Sequence, residues 1–355
     1  MFELMRGNLL EADVEAVVNT VNTEGIMGKG IALQFRKAYP ENYEAYKRAC
    51  ESGEVQPGRM FIFDQRSLAN PHYIINFPTK RTWRANSRME DIESGLAALV
   101  KDVKRLGVRS VAVPPLGCGL GGLSWRDVQP RMRLAFEKLP DVRWMVYEPA
   151  GAPDPKAARN RTPRPKMTQG RAAVLGLIRR YLVPGFDYTV SLLEIQKLVY
   201  FLTEAGEKLN KVKFEKHHYG PYADVLRHVL EKMDGHFVTG YGDGHNKPDT
   251  PIQLVPDAAE QAERYLDDHP DTRRRFDRVA ELIEGFETPF GMELLATVHW
   301  VATRETSDAP STPDVTYAAV RTWSTRKANL MRREHVRAAW QRLNQLGWLQ
   351  PNAGV

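Results

Sequence analysis

The sequence is poor in cysteine and has no long apolar run. Its 355 residues contain two cysteines, Cys50 and Cys118, and no C-x-x-C pair, so at most one disulfide can form and a zinc site of the usual spacing is excluded. No stretch approaches the roughly 18 consecutive apolar residues of a membrane-spanning helix. The start, Met-Phe-Glu-Leu-Met-Arg, does not resemble a secretory leader. We therefore expect a soluble, cytoplasmic protein with no membrane contact and no metal.

Positive charge is in excess only in the front part of the chain. Residues 1–150 hold 21 Lys and Arg against 18 Asp and Glu, 151–166 hold 5 against 1, and 167–355 hold 24 against 25. This asymmetry favours contact with a polyanion through the first half and the segment after it. A solvated surface is the alternative interpretation.

A domain boundary is predicted at 151–166. This segment, GAPDPKAARNRTPRPK, contains four prolines and five basic residues and has no apolar periodicity, which is typical of a linker. We therefore predict a first domain over 1–150 and a second over 167–355.

Before this linker, β-branched apolar runs alternate with amphipathic runs. Such alternation predicts a layered α/β domain, a mixed and largely buried sheet flanked by helices. A capping box, Ser87-x-x-Glu90, precedes the helical stripe that runs from Ile92 to Leu106. The predicted strands are 16–21, 60–63, 73–77, 108–113 and 142–147, and the predicted helices are 31–39, 92–106 and 125–139.

After the linker the pattern is mostly helical. Apolar residues from Leu192 to Leu202 form one stripe behind the capping box Ser191-x-x-Glu194, and a stripe from Val336 to Leu343 ends at Gly347. Only 237–238 and 252–255 are predicted to be extended. We expect a mostly helical domain with a small β-wing.

Two glycine-rich segments each join a predicted strand to a predicted helix. One is Asn22 to Gly30, and the other is Gly117-Cys-Gly-Leu-Gly-Gly122. Glycines allow backbone N–H groups to converge on one anion, and the following helix adds positive dipole. Two such loops at the carboxyl ends of strands in one sheet face a common crevice and suit a diphosphate. A tight strand-to-helix turn is the simpler alternative for either loop.

These motifs carry a family resemblance over residues 1–150. Gly7-Asn8-Leu9, Met27-Gly-Lys-Gly-Ile-Ala32 and Pro115-Leu-Gly-Cys-Gly-Leu120 resemble a macrodomain, the ADP-ribose-binding fold. The likeness is strongest to the branch that holds the terminal ADP-ribose protein glycohydrolase and the macrodomain antitoxins of the DarT/DarG type. It implies an enzyme that removes mono-ADP-ribose from DNA bases, with no cofactor.

The resemblance also implies roles for individual residues. Asn8 falls where many macrodomains place an adenine-binding aspartate. Asn22 falls where the distal ribose is held, and with Lys80 it is one of the two expected catalytic residues. The residues implied to contact ADP-ribose are Asn8, Leu9, Asn22, Gly28, Lys29, Gly30, Ile31, Gly117, Cys118, Gly119, Leu120 and Gly121.

Lys80 falls where this branch has its catalytic lysine. A neutral amine can attack the anomeric carbon or take up a proton, whereas a charged one can only donate a proton or stabilise anions. We expect Arg81 and Arg84 to lower the pKa of Lys80 by like-charge repulsion. The protein-directed relative also uses an aspartate directly after its Gly-Cys-Gly-Leu, and here that position is Gly121.

The residues after Lys80 have the composition of a surface that binds single-stranded DNA. Arg81, Trp83 and Arg84 interleave cations with an indole on which an unpaired DNA base can stack. Trp83 in the core is the alternative. Cys118 has no histidine in local register to activate it, so we interpret it as a small loop filler.

The second half resembles, more weakly, helical antitoxin domains of the SocA or Panacea type. The likeness rests on Gln196-Lys-Leu-Val-Tyr200 and on His217-His-Tyr-Gly-Pro-Tyr-Ala-Asp224, and it implies binding of a DarT-like ADP-ribosyltransferase toxin. We expect the second motif to form a turn between two helices rather than a metal site. The acidic run 260–271 could receive a basic toxin or be a solvated face.

Two other functions remain open from the sequence. One is an ADP-ribose reader without catalysis, which the absent aspartate favours. The other is a transcriptional regulator whose macrodomain senses an NAD metabolite, which the net charge of the second half disfavours because DNA contact needs positive charge.

Overall fold

The chain divides into two compact units. The computed structural model describes residues 1–149, 159–182, 189–209, 212–242, 244, 246–305 and 312–349. The first unit is Met1–Pro163 with Gly242–His245, and the second is Arg164–Tyr241 with Asn246–Val355. The first half of the predicted linker, 151–158, lies outside the described residues.

The first unit is built on a six-stranded sheet in the order β1-β6-β5-β2-β4-β3. All neighbouring strands pair in parallel except β3, which pairs antiparallel with β4 at the edge. The predicted mixed sheet flanked by helices is confirmed. The strands are β1 Phe2–Met5, β2 Ala16–Val21, β3 Phe61–Asp64, β4 Tyr73–Pro78, β5 Ser110–Val113 and β6 Arg143–Tyr147, and the helices are α1 Gly30–Ala38, α2 Pro40–Glu51, α3 Met89–Leu106 and α4 Trp125–Phe136.

Both faces of this sheet are buried. In β5, Val111 and Val113 belong to the apolar layer of α3 and α4, while Ala112 between them belongs to the layer of α1, with Phe35. Successive side chains of a strand point to opposite faces, so continuous apolar runs are what a sheet covered on both sides requires.

Three features of this unit differ from what the sequence predicts. The short edge strand β1 was not predicted. The helix α2 was not predicted either, because it buries Asn42, Tyr46 and Ala49 rather than an aliphatic stripe. The predicted capping box at Ser87 is wrong: α3 has Arg88 as its N-cap, and no side chain caps it.

Three buried asparagines join α2 to the sheet. Asn19 of β2 and Asn76 of β4 are directly paired in register, and their side chains bond at 3.0 Å. The Asn76 amide also donates to Asn42 of α2 at 2.7 Å. All three side chains are fully buried, so each amide needs the others as partners, and the network fixes α2 against the strands.

The second unit is mostly helical, as predicted, with a small three-stranded sheet β10-β11-β7. Its helices are α5 Gln169–Tyr181, α6 Leu192–Glu204, α7 Val225–Met233, α8 Ala258–Asp267, α9 Pro270–Ile283, α10 Pro289–Trp300, α11 Pro313–Trp323, α12 Thr325–Leu330 and α13 Arg333–Gln345, and its strands are β7 Val190–Ser191, β8 Glu215–His217, β9 Gly220–Tyr222, β10 Val238–Thr239 and β11 Pro251–Leu254. The predicted capping box of Ser191 and Glu194 is present. Among the described helices, none has both the length and the apolar character needed to span a bilayer.

The motif His217 to Tyr222 forms a β-hairpin, not the expected turn between helices. Strands β8 and β9 pair antiparallel with His217 opposite Gly220, and Gly220 has a φ of +93° that favours glycine. The two histidines point to different partners: His217 packs on the ring of Tyr222 and His218 on that of Tyr219.

Beneath this hairpin, α6 presents two buried polar side chains. The side-chain amide of Gln196 makes two bonds to the backbone of Ala223: its Oε1 accepts from the N–H at 3.0 Å and its Nε2 donates to the carbonyl at 3.1 Å. The Lys197 ammonium donates to the carbonyl of Pro221 at 2.7 Å. The two sequence motifs recognised in the second half are therefore parts of one packed assembly.

Candidate active site

Four of the predicted site segments meet at one edge of the sheet. Asn8 follows β1, Asn22 follows β2, Lys80 follows β4 and Gly117 follows β5. These strands run parallel, so their carboxyl ends lie together, where open α/β sheets bind ligands.

The first glycine loop, Asn22–Gly30, is shaped by the side chain of Asn22. Its Oδ1 accepts from the backbone N–H of Glu24 at 2.9 Å and its Nδ2 donates to the carbonyl of Ile26 at 2.6 Å. The hydroxyl of Tyr46, on α2, donates to the Asn22 carbonyl at 2.6 Å. Asn22 is buried, so in this structure its amide organises the turn.

The start of α1 is open to an anion. Lys29 is its N-cap and provides no side-chain cap, so the first N–H groups, from Gly30 and Ile31, have no intrahelical acceptor. A Cβ at Gly28 would have only Ile26 within 4 Å, which leaves room above the loop. A diphosphate here would meet free N–H groups and the positive helix end.

The second glycine loop, Gly117–Gly122, offers unused N–H groups. Its own turns use the amides of Cys118, Gly122 and Leu123, whereas in the described part of the chain no acceptor is found for those of Gly119, Leu120 and Gly121. A Cβ at Gly119 would meet no atom of the described residues within 4 Å, so these residues leave space beside it. Consecutive free amides of this kind form an anion-binding concavity.

Cys118 lies within this loop but is not activated. Burial raises the pKa of its thiol to about 11, and the Sγ points to the carbonyl of Leu116 at 3.4 Å. A thiol held protonated is a poor nucleophile. This agrees with its interpretation as a loop filler.

In the part of the chain that the structure describes, no hydrogen bond or ion pair reaches the Lys80 ammonium, and burial lowers its pKa. The predicted direction is confirmed, but the predicted cause is wrong. The guanidinium of Arg81 is engaged by Asp91 through two bonds of 3.0 and 3.2 Å, which offsets its charge, and desolvation alone disfavours the charged amine.

The Lys80 loop, Lys80–Ser87, is attached to both glycine loops. At its start, the Lys80 N–H donates to Val21 at 3.3 Å. In its middle, the Trp83 N–H donates to the carboxylate of Glu24 at 2.8 Å. At its end, the Ser87 N–H donates to Gly121 at 2.9 Å. Lys80 thus stands at the start of a segment that is fixed at three points.

The absence of an acid at position 121 has a steric cause. A Cβ at Gly121 would lie 2.3 Å from the Gly117 carbonyl oxygen and 2.3 Å from the Ser87 hydroxyl, well inside contact distance. The Ser87 Oγ is itself buried without a hydrogen-bond partner. The loop in this conformation therefore admits only glycine there.

The residues predicted to contact the DNA strand lie on the outer side of the Lys80 loop. Trp83 is 47% exposed, so the core alternative is wrong, and the Arg84 guanidinium lies 4.5 Å from the centre of its ring. Arg81 is partly exposed but its guanidinium is committed to Asp91. Trp83 and Arg84 are the more available pair.

The position predicted for adenine recognition is less open. Asn8 caps a short 3-10 turn, Leu9–Glu11, by accepting from Leu10 at 3.0 Å, and its Nδ2 donates to Glu11 at 3.1 Å. Leu9 is buried in the core. In this structure both residues serve the turn after β1.

This fold, with two glycine loops and a lysine at the shared edge, defines a macrodomain, and residues 18–132 match the Macro domain family. The chain is 46% identical over 351 residues to the DNA ADP-ribosyl glycohydrolase of Thermus aquaticus, covering 99% of this chain and 95% of that protein. It belongs to the DNA ADP-ribosyl glycohydrolase family, as the sequence motifs indicated.

Two further likenesses are shorter. A DNA ADP-ribosyl transferase-DNA ADP-ribosyl glycohydrolase fusion protein of Thermosipho africanus is 34% identical over 161 residues, 41% of each chain. The solved macrodomain of Thermus aquaticus DarG is 58% identical, covers 42% of this chain and 99% of that chain, and has a TM-score of 0.41.

Sequence reasoning missed the residues that hold the site together. Thr23 and Glu24 have no motif of their own, Ser87 is predicted only as part of a capping box, and their contacts join segments far apart in the chain. Glu24 and Trp83 are 59 positions apart. The one available signal was that Glu24 stands inside the first glycine loop.

Proposed function

We propose that this chain is a hydrolase that removes mono-ADP-ribose from a DNA base. The observation that carries the proposal is Lys80, a partly buried amine without a partner at the edge where both glycine loops lie. Membership of the DNA ADP-ribosyl glycohydrolase family supports the same activity.

In the proposed complex the glycine loops bind the diphosphate. The free amides of Gly119 to Gly121 and the open start of α1 are the donors, and the space beside Gly119 and Gly28 allows close approach. The distal ribose then extends toward the end of β2 and β4, where Asn22 and Lys80 lie. Adenine lies toward Asn8 and Leu9.

Hydrolysis breaks the bond between the anomeric carbon of the distal ribose and a nitrogen of the base. Water supplies the oxygen that bonds to that carbon, and a proton goes to the leaving base. In this proposal Lys80 acts as a neutral amine, either attacking the carbon to form an intermediate that water resolves or taking the proton from the attacking water. Its lowered pKa favours the neutral form.

The substrate we propose is single-stranded DNA. Trp83 offers an exposed ring for a neighbouring base and Arg84 a cation above it, the combination that binds unpaired strands. Arg81 supports this surface through its pair with Asp91.

The decisive experiment compares an ADP-ribosylated single-stranded oligonucleotide with an ADP-ribosylated protein. We expect the wild-type chain to release ADP-ribose from the oligonucleotide. Lys80→Ala should stop release while keeping ADP-ribose affinity within about threefold, because the amine acts on the anomeric carbon and not on the diphosphate. Tight binding of ADP-ribose by the wild type without release from either substrate would instead make the chain a reader.

For the second unit we propose binding of the cognate DarT-like toxin. The fusion protein of Thermosipho africanus, by its name, carries a transferase and a glycohydrolase in one chain, so the two activities belong together. The acidic run that was expected to receive a basic toxin is partly paired within the unit, Glu263 with Arg273 at 2.5 Å and Asp271 with Arg274. The three remaining acids of this run, Glu260, Asp267 and Asp268, are the ones that we propose for toxin contact.

A further inference from the structure

The Lys80 loop is held by two consecutive side chains of the first glycine loop. The Thr23 hydroxyl donates to the Arg81 carbonyl at 2.5 Å, and the Glu24 carboxylate accepts from the Trp83 N–H at 2.8 Å. Backbone groups two residues apart are thus fixed directly after Lys80. Bonds between a carboxylate and a backbone N–H are among the stronger hydrogen bonds in proteins.

Glu24 is itself fixed by the loop that is to hold the ligand. Its backbone N–H donates to Oδ1 of Asn22 at 2.9 Å, and the carbonyl of Asn22 is held by Tyr46 at 2.6 Å. A continuous line of hydrogen bonds therefore runs from the buried Tyr46 of α2 through Asn22 and Glu24 to Trp83. The exposed carboxylate is the last link of this line.

We propose that Glu24 is a positioning residue for Lys80 and for the Trp83 platform. It does not touch the reacting atoms. It accepts the Trp83 N–H and so fixes the path of the chain that carries the amine on one side and the exposed indole on the other. The inference rests on the proposed function, because the effect of this position is measured on the hydrolysis of ADP-ribosylated DNA.

The competing role for Glu24 is chemical. Position 121 cannot carry a carboxylate, and Glu24 is a carboxylate bonded to the Lys80 loop, so it could be thought to replace the missing acid. The two roles require different properties of the side chain. Positioning needs only an oxygen that accepts a hydrogen bond, which a glutamine supplies, whereas acid–base work needs the ionisable group.

The test uses Glu24→Gln, Glu24→Ala and, as a matched control, Glu44→Ala, which removes another exposed glutamate from the middle of α2. For a positioning role we expect Glu24→Ala to lower kcat on the ADP-ribosylated oligonucleotide by about 10- to 100-fold, the range of one charge-assisted hydrogen bond. Affinity for free ADP-ribose should stay within about threefold of wild type. Glu24→Gln should keep kcat within about threefold, and Glu44→Ala should equal the wild type.

A second measurement does not depend on activity. The Trp83 amide, assigned by comparison with Trp83→Phe, should exchange with solvent at least about tenfold faster in Glu24→Ala than in Glu24→Gln or the wild type. Unchanged exchange in Glu24→Ala, or an unchanged kcat, overturns the proposal. A Glu24→Gln variant as slow as Glu24→Ala overturns it in favour of acid–base chemistry. Failure of the wild type to hydrolyse modified DNA would refute the proposed function instead, and the exchange rates would still decide whether Glu24 fixes the loop.

Discussion

At the scale of single residues, the candidate site contains the Lys80 amine, whose charged form is disfavoured by burial. Most surface lysines pair with a carboxylate or extend into water. Lys80 is instead partly buried, and no described residue pairs with it. A lysine in this state is closer to reactivity at neutral pH than a solvated one.

We predict that hydrolysis follows the deprotonation of Lys80. Burial lowers the pKa of Lys80 below its ordinary value, and the neutral amine is the active form in our proposal. The rate should therefore rise with pH and level off below the value of about 10.4 of a free lysine. The measurement is kcat against pH on the oligonucleotide. A rate that falls as pH rises through this range would mean that the charged lysine is the active form.

Two neighbouring glycines should respond differently to substitution. Gly119→Glu places a carboxylate in free space, so the protein should fold with a melting temperature within about 2 °C of wild type but lose ADP-ribose affinity by at least about 100-fold through repulsion of the diphosphate. Gly121→Ala forces the loop apart, because its Cβ would lie 2.3 Å from two oxygen atoms, and should lower the free energy of unfolding by about 1–3 kcal/mol. Titration calorimetry with ADP-ribose measures the loss of affinity, and thermal unfolding measures the loss of stability. Full affinity in a folded Gly119→Glu protein would show that the second glycine loop does not bind the ligand.

How far the sequence predicts these residues depends on what each one contacts. The glycine loops are predictable because their chemistry lies in consecutive positions, whereas Lys80 is predicted only through the family resemblance. Ser87 was assigned to a capping box, yet its position is decided by Gly121, 34 positions later. The cause of the lysine pKa shift was also missed, because the pairing of Arg81 with Asp91 is a property of the fold.

At the scale of elements, the helix α6 and the hairpin β8–β9 form one structure. A buried cluster supports it: the Lys327 ammonium bonds Glu293 at 2.6 Å and Thr297 at 3.1 Å, and Lys197 lies beside them under Gly220. Burial, with repulsion from Lys327, lowers the pKa of Lys197 to about 7. The hairpin therefore rests on a lysine that folding makes easier to deprotonate.

This cluster predicts a pH dependence of stability. Between pH of about 7 and about 10.4 the unfolded chain keeps a proton on Lys197 that the folded chain has lost, so the contribution of this group to the free energy of unfolding rises with pH over that window. Lys197→Met should remove most of this rise, with a remainder from Lys327, whose pKa is also lowered. Guanidinium unfolding followed by circular dichroism at several pH values measures it. An identical slope in wild type and Lys197→Met would rule the explanation out.

Long amphipathic elements were predictable, and short or polar ones were not. The stripes of α3, α6 and α13 show helical spacing in the sequence, whereas α2 buries an asparagine, a tyrosine and an alanine. The hairpin was missed because each of its strands has three residues and its stability comes from Gln196 and Lys197 below it. Tertiary contacts of that kind leave no local periodicity.

At the scale of the whole molecule, the net charge differs between the two parts of the chain. The positive excess belongs to 1–166, while 167–355 has 24 basic against 25 acidic residues. Sequence alone indicated this division because charge counts need no fold. The residues that would meet a toxin could not be predicted in the same way, since arginines of the second unit already pair with part of the acidic run.

We predict that the two units act separately. A fragment of residues 1–163 should release ADP-ribose from the oligonucleotide and bind single-stranded DNA with an affinity that falls as salt rises, and it should not capture the toxin. A fragment of residues 164–355 should capture the toxin and show no hydrolysis. Pull-down and release assays on both fragments test this, with the full chain as the reference. Capture of the toxin by 1–163 and not by 164–355 would reverse the assignment.

The close approach of Gly121 to Ser87 has a consequence for how this enzyme can change over generations. A single nucleotide change can convert a glycine codon to an aspartate codon. An aspartate side chain at 121, however, would enter space occupied by the Gly117 carbonyl and by the Ser87 hydroxyl. A smaller residue at 87 would remove the clash with the Ser87 hydroxyl but not the clash with the Gly117 carbonyl. An acid at 121 therefore requires the loop from Gly117 to Gly122 to follow a different backbone path, which point mutations at 87 and 121 alone do not produce.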